Sequence, residues 1–201
     1  QQTEWKQSVK DEICRLLIKK KIFNQQELLL KNNFKEEADL LGQYISEVQA
    51  GDSTNREGHA AKVYFNCLLP SGVTRRSGGF LNGCLNYGYA VLLSAFNREI
   101  VASGYLTQFG IWHDNEFNQF NLSSDLMEPI RTIVDETALK IPDGDKDFKR
   151  KMANILNFKA VFNQKNTTLD VAIRQYVKTV FAALENDDPE LIIFPENIDE
   201  Q

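Results

Sequence analysis

At 201 residues, with 42% hydrophobic and 25% charged side chains, the chain has the make-up of a folded globular protein that buries about two-thirds of its unfolded surface. That excludes a disordered or fibrous chain, and the longest apolar run, Tyr89 to Phe96 with a break at Ser94, is far short of the ~20 residues of a membrane span. The net charge of −5 does not exclude a polyanionic partner: seven of the 28 acids lie from Glu185 onwards, leaving 21 acids against 23 bases in residues 1–184, a balance of +2.

The opening QQTEWKQSVK has no apolar core of a secretory signal and no methionine, so the chain is expected to begin inside a longer, cytoplasmic gene product. Cys14, Cys67 and Cys84 lack C-x-x-C spacing and read as reduced core thiols. Apolar residues at three- and four-residue steps, Val9, Ile13, Leu16, Leu17, Ile22 and Leu28 to Leu30, predict a long amphipathic helix over 5–30. A second helix is predicted from Phe34 to Val48, ended by GDSTN. A third, capped by Ser53, Thr54 or Asn55, continues through EGHAAKVYFNCLL to Pro70. SGVTRRSGG reads as a loop. Residues 81–102, apolar and small on all sides, predict a central buried helix in which Gly83 and Gly88 permit close contacts. Further helices fit Ser123 or Ser124 to Leu139, 145–157 and 167–186. No stretch sustains period-2 alternation, so the predicted fold is all-α, a multi-helix domain over 1–186 followed by an acidic tail over 187–201 whose LIIF could dock on a surface.

Chemistry concentrates in GIWHDNEFNQFNLSSDLMEP, residues 110–129. His113, Asp125 and Glu128 are hard-ligand types suited to a divalent cation acting on phosphodiesters, and residues 125 and 128 share a helix face. Asp125-Leu-Met-Glu128 is equally the pattern of a capping box, with Pro129 acceptable only near a helix start. The second histidine, His59, and Glu57 lie in NREGHAAKVYF, where Glu57 could be simply a first-turn acid. Lys62, Arg75, Arg76, Arg98 and Arg131 flank these stretches and would suit a polyanionic substrate, whereas Lys149, Arg150 and Lys151 read as a solvated helix face.

REGHAAKVYF (56–65), NGCLNYGYAVLLSAFNREIVASGYLTQFGIWHDN (82–115) and FNLSSDLMEPIR (120–131), with a weaker match in KKKIFNQQELLL (19–30), resemble the integrase of the CRISPR spacer-acquisition module, particularly its type II-A members. The resemblance implies a catalytic Mg²⁺ or Mn²⁺ held by Glu57, His113 and Glu128, with Asp125 supporting or sharing the site. It implies transesterification, in which the 3′-OH of a double-stranded prespacer attacks a phosphodiester at the end of a CRISPR repeat, and nuclease activity on branched DNA at the same site. It further implies a small ferredoxin-like CRISPR-associated partner protein, a homodimer of the full-length protein and a bacterial cytoplasmic location. Lys62, Arg75, Arg76, Arg98 and Arg131, the bases nearest the proposed ligands in sequence, are expected to line the DNA path. Members begin with a β-rich domain of roughly ninety residues, so this chain resembles the α-helical catalytic lobe alone. A non-catalytic helical DNA-binding or interaction module is the alternative, in which Asp125 and Glu128 form only a capping box.

Overall fold

The computed structural model describes residues 2–199. Eight α-helices dominate: α1 (Gln7–Lys31), α2 (Lys35–Glu47), α3 (Arg56–Leu68), α4 (Phe80–Ala102), α5 (Asn121–Met127), α6 (Thr132–Lys140), α7 (Phe148–Ala153) and α8 (Leu169–Asn186). The chain is mainly helical, as its apolar periodicity requires. A small antiparallel sheet is the departure: β1 (Lys159–Phe162), β2 (Lys165–Thr168) and β3 (Glu196–Asp199), in the order β2-β1-β3. Asn163 and Gln164, at φ 48° and 62°, make the two-residue turn between β1 and β2 with the left-handed backbone that suits a hairpin. Residues 167 and 168, expected in the last helix, therefore belong to β2. A four-residue strand is too short for alternation to show in the sequence.

The acidic segment is folded back as far as it is described, since β3 pairs with β1 and Ile192, Ile193 and Phe194 pack against the core. Glu200 and Gln201 lie outside the described residues.

Two groups of helices meet at the candidate site. On one side α1 lies along α2 and α3; on the other, α4 is surrounded by α5, α6, α7 and α8. The face of α1 that turns inward carries Val9, Ile13, Leu17, Lys21, Gln25 and Leu28, one side chain per turn. Gly88 of α4 confirms the close contact expected of it. A Cβ there would strike Val134 of α6 and lie 2.9 Å from Met152 Sδ of α7, whereas one at Gly83 would meet nothing within 4 Å. Gly88→Ala should destabilise the chain by roughly 1–3 kcal/mol through overpacking, while Gly83→Ala should be neutral or stabilising. Urea melts of the two variants check this, and equal midpoints would refute the asymmetry.

Proline divides the predicted helix over 123–139. Pro129 has no amide hydrogen to donate into a continuing ladder, and Glu128–Ile130 forms a 3₁₀ turn between α5 and α6. The resulting bend aims Glu128 at α1, and Asn24 Nδ2 of α1 donates to the Pro129 carbonyl at 2.6 Å.

Candidate metal and nucleic-acid site

Glu57 lies in the first turn of α3. Asp52, rather than Ser53, Thr54 or Asn55, caps this helix: its carboxylate accepts from the amides of Arg56 (2.8 Å) and Glu57 (3.0 Å). The GDSTN turn places Asp52 upstream of the N-cap, beyond the reach of a simple cap pattern. A Cβ at Gly58 would lie 2.6 Å from Asn55 Oδ1, so a larger residue there would move the exposed Asn55 side chain.

The carboxylates of Glu57 and Glu128 converge on one cation. Lys21 Nζ stands 2.6 Å from Glu57 Oε1 and 2.6 Å from Glu128 Oε2. The other oxygen of Glu128 accepts from Arg131 Nη1 at 2.6 Å, and the Arg131 guanidinium lies 4.2 Å from the centre of the Tyr89 ring. Two carboxylates and two cations thus form a neutral group. Burial alone would raise the pKa of Glu128, but Lys21 and Arg131 outweigh it and hold the carboxyl well below its usual range. Burial would likewise lower Lys21, and Glu128 and Glu57 reverse that shift. The Lys21 contact with Glu128 Oε2 is close but not aligned as a hydrogen bond, leaving that buried oxygen with charge compensation and no directed donor.

His113 belongs to the loop between α4 and α5, and Asp125 holds it there. The buried Asp125 carboxylate accepts from the amides of Ile111, Trp112 (3.2 Å) and His113 (3.3 Å) and pairs with His113 Nδ1. This corrects the capping-box reading: α5 begins at Asn121, so Asp125 sits near its far end and secures the preceding loop instead. Gly110 makes the arrangement possible, since a Cβ there would strike the His113 carbonyl and lie 2.8 Å from Asp125 Oδ2. The hydrogen bond to Asp125 raises the pKa of His113 against the opposing effect of burial, aided by the charges of Asp125, Glu57 and Glu128. Asp125 is itself raised because burial outweighs the stabilisation from His113 and the loop amides.

Among the described residues no three carboxylate, imidazole or thiol groups are gathered closely enough to hold a metal ion; the point shared by Glu57 and Glu128 is taken by Lys21. Reading for ligand types missed Lys21, although the pattern held a signal. A lysine in the inward stripe between Leu17 and Gln25 is buried at a cost unless acids meet it.

The five basic residues separate by environment. Lys62 and Arg76 are exposed, and Arg75 donates to Asn82 and to Asn86 (2.8 Å) while lying over the rings of Phe65 and Tyr89. Arg98 is tied to Glu99 and Asp170, and Arg131 to Glu128. His59 is exposed on α3 beside Arg56 and Tyr44. Arg150 and Lys151 pair with Asp147 and Asp145 on an exposed face of α7.

The family described as CRISPR associated protein Cas1 matches residues 1–160. The chain belongs to the Cas1 family. It is 28% identical over 195 residues to the CRISPR-associated endonuclease Cas1 of Neisseria meningitidis serogroup C (strain 8013), an alignment covering 94% of this chain and 64% of that protein. The chain thus spans somewhat less than two-thirds of this Cas1 relative. Its fold is shared with a chain of a Cas6-RT-Cas1–Cas2 complex, at TM-score 0.75 and 21% identity, over 92% of this chain and 25% of that one. A casposase bound to integration product matches at TM-score 0.71 and 21% identity, over 89% of this chain and 65% of the casposase. The mainly helical Cas1 fold agrees with the sequence-based expectation.

Proposed function

We propose that this chain carries the catalytic helices of a metal-dependent DNA integrase and endonuclease that inserts prespacer DNA into a CRISPR array. One observation carries the reading: Glu57 and Glu128, from separate helical elements, point their carboxylates at a single cation position. The two converging carboxylates are hard oxygen donors of the type that suits Mg²⁺ or Mn²⁺, and His113, in the loop before α5, is the imidazole that would join them. When bound, the metal supplies charge to polarise the scissile phosphodiester and stabilise the leaving oxygen. Glu57, His113 and Glu128 are the residues that would hold it. Asp125, through Nδ1, fixes the imidazole so that the other ring nitrogen is free to act as a ligand. Arg131 keeps Glu128 ionised and in place.

The exposed Lys62 and Arg76, together with the partly buried Arg75, form the proposed DNA path; Arg98 and Arg131, already paired, contribute mainly to orientation and local field. Replacing Lys62 and Arg76 together should reduce the slope of log affinity against log salt by about two for duplex DNA, one per lost phosphate contact. An unchanged slope would remove this surface from the DNA path. The substrates are double-stranded prespacer and CRISPR repeat DNA, and the partners are a small ferredoxin-like CRISPR-associated protein and a second copy of the whole protein. The fold shared with a chain of a Cas1–Cas2-containing complex and with an integration-product-bound casposase supports this assignment. No helix among the described residues is long and apolar enough to cross a membrane.

Strand transfer into a supercoiled plasmid bearing a repeat, with Mn²⁺, tests the reading through Glu57→Gln, His113→Ala and Glu128→Gln. Losses on the order of 10³-fold are expected where a group stabilises transition-state charge. Wild-type rates in folded variants, with a melting temperature that Mn²⁺ leaves unmoved, would favour the non-catalytic module.

A further inference from the structure

Lys21 is absent from every ligand set considered above, yet it is the group on which Glu57 and Glu128 converge. We propose that Lys21 is a resident counter-ion, a positioning residue that holds the two carboxylates together without metal and that a divalent cation must displace. The inference rests on the reading of Glu57 and Glu128 as ligands and adds to it a competitor built into α1.

Three features argue for displacement rather than coexistence. Lys21 Nζ is at contact distance from one oxygen of each carboxylate, so a divalent ion bound between the same oxygens would lie against a like charge in a buried setting, where repulsion is strong. The group is already neutral, with Lys21 and Arg131 balancing Glu57 and Glu128; adding a divalent ion without losing a cation would leave two uncompensated positive charges inside the protein. Lysine also has the means to leave. Its ammonium is a point charge on a flexible four-carbon stem, whereas Arg131 is fixed both to Glu128 and over Tyr89. Apparent metal affinity would then be the affinity of the ligands less the work of releasing Lys21, and the carboxylates would stay converged while the site waits.

Mn²⁺ binding by wild type, Lys21→Met and Glu128→Gln, followed by loss of the free-ion electron paramagnetic resonance signal, tests this. Lys21→Met should bind Mn²⁺ more tightly by on the order of tenfold, a coupling of ordinary size between two ligands for one position. Metal-free Lys21→Met should also melt below wild type and be raised further by Mn²⁺. A merely structural lysine would weaken binding when lost. Equal or weaker binding by Lys21→Met, with Glu128→Gln weakened, would overturn displacement and leave the metal reading standing; wild-type binding by Glu128→Gln would overturn both. If Lys21→Met does not fold, the wild-type chain decides. Saturating Mg²⁺ should shift the ¹⁵Nζ resonance of Lys21 towards that of solvated lysines, and an unmoved resonance overturns the proposal.

Discussion

Glu128→Ala is expected to cost ~3–5 kcal/mol of folding stability, the usual penalty for breaking a buried ion pair by removing one partner. The loss leaves Lys21 and Arg131 facing each other across the vacated side chain, with Glu57 the remaining carboxylate in contact with Lys21. Glu57→Ala should cost much less, because Glu57 is 22% exposed against 4% for Glu128 and water can replace part of what it supplies. Urea denaturation of both variants gives the comparison; a Glu128→Ala loss no larger than that of Glu57→Ala would contradict the buried cluster. The same carboxylate sets an acid limit. Its folded pKa lies below its unfolded value, so its contribution is fully present above the ordinary glutamate range and is lost as pH falls through the lower, folded value. Stability curves of wild type and Glu128→Gln from pH 5 downwards should therefore converge, and a constant difference between them would show that Glu128 is not the group titrating.

Asp125→Ala should be nearly as damaging, by about 3 kcal/mol or more, since an orphaned buried donor costs ~1–3 kcal/mol and this carboxylate serves three amides and an imidazole. Asp125→Asn separates anchoring from charge. An amide oxygen can still accept from the loop, but the negative charge that favours the imidazolium is gone, so the pKa of His113 should fall below that of wild type. Titration of the His113 ring protons by NMR measures it. An unchanged midpoint would mean that Asp125 does not control the protonation of His113.

Much of the helical scaffold was legible. The spacing of Val9, Ile13, Leu17 and Leu28 marks α1, and α4 runs within one residue of its expected start because an all-round apolar helix has only one place to go, the middle. Gly88 was legible as a close contact; Gly83, equally small, faces open space, and nothing local distinguishes the two. The hairpin was not legible because four residues per strand and an Asn-Gln turn leave only a faint pattern. For the site, the residue types in matching motifs pointed to Glu57, His113, Asp125 and Glu128, but local spacing paired Asp125 with Glu128 in a cap that does not form. Asp125 turns instead to the loop before it, and Pro129 separates Glu128 into its own turn.

By itself, the sequence determined the mainly helical architecture, the helix faces that turn inward, the uneven charge and the family likeness, all of which are written in local periodicity or in contiguous motifs. Only the tertiary structure decided that Lys21 stands between Glu57 and Glu128, that Arg131 is spent on Glu128 while Lys62 and Arg76 are exposed, and that Asp125 secures His113. The physical reason is range. Helical periodicity is fixed by neighbours three and four residues away, whereas a buried charge finds its partners across α1, α3 and the turn at Glu128, and no pattern along one segment records which elements will meet.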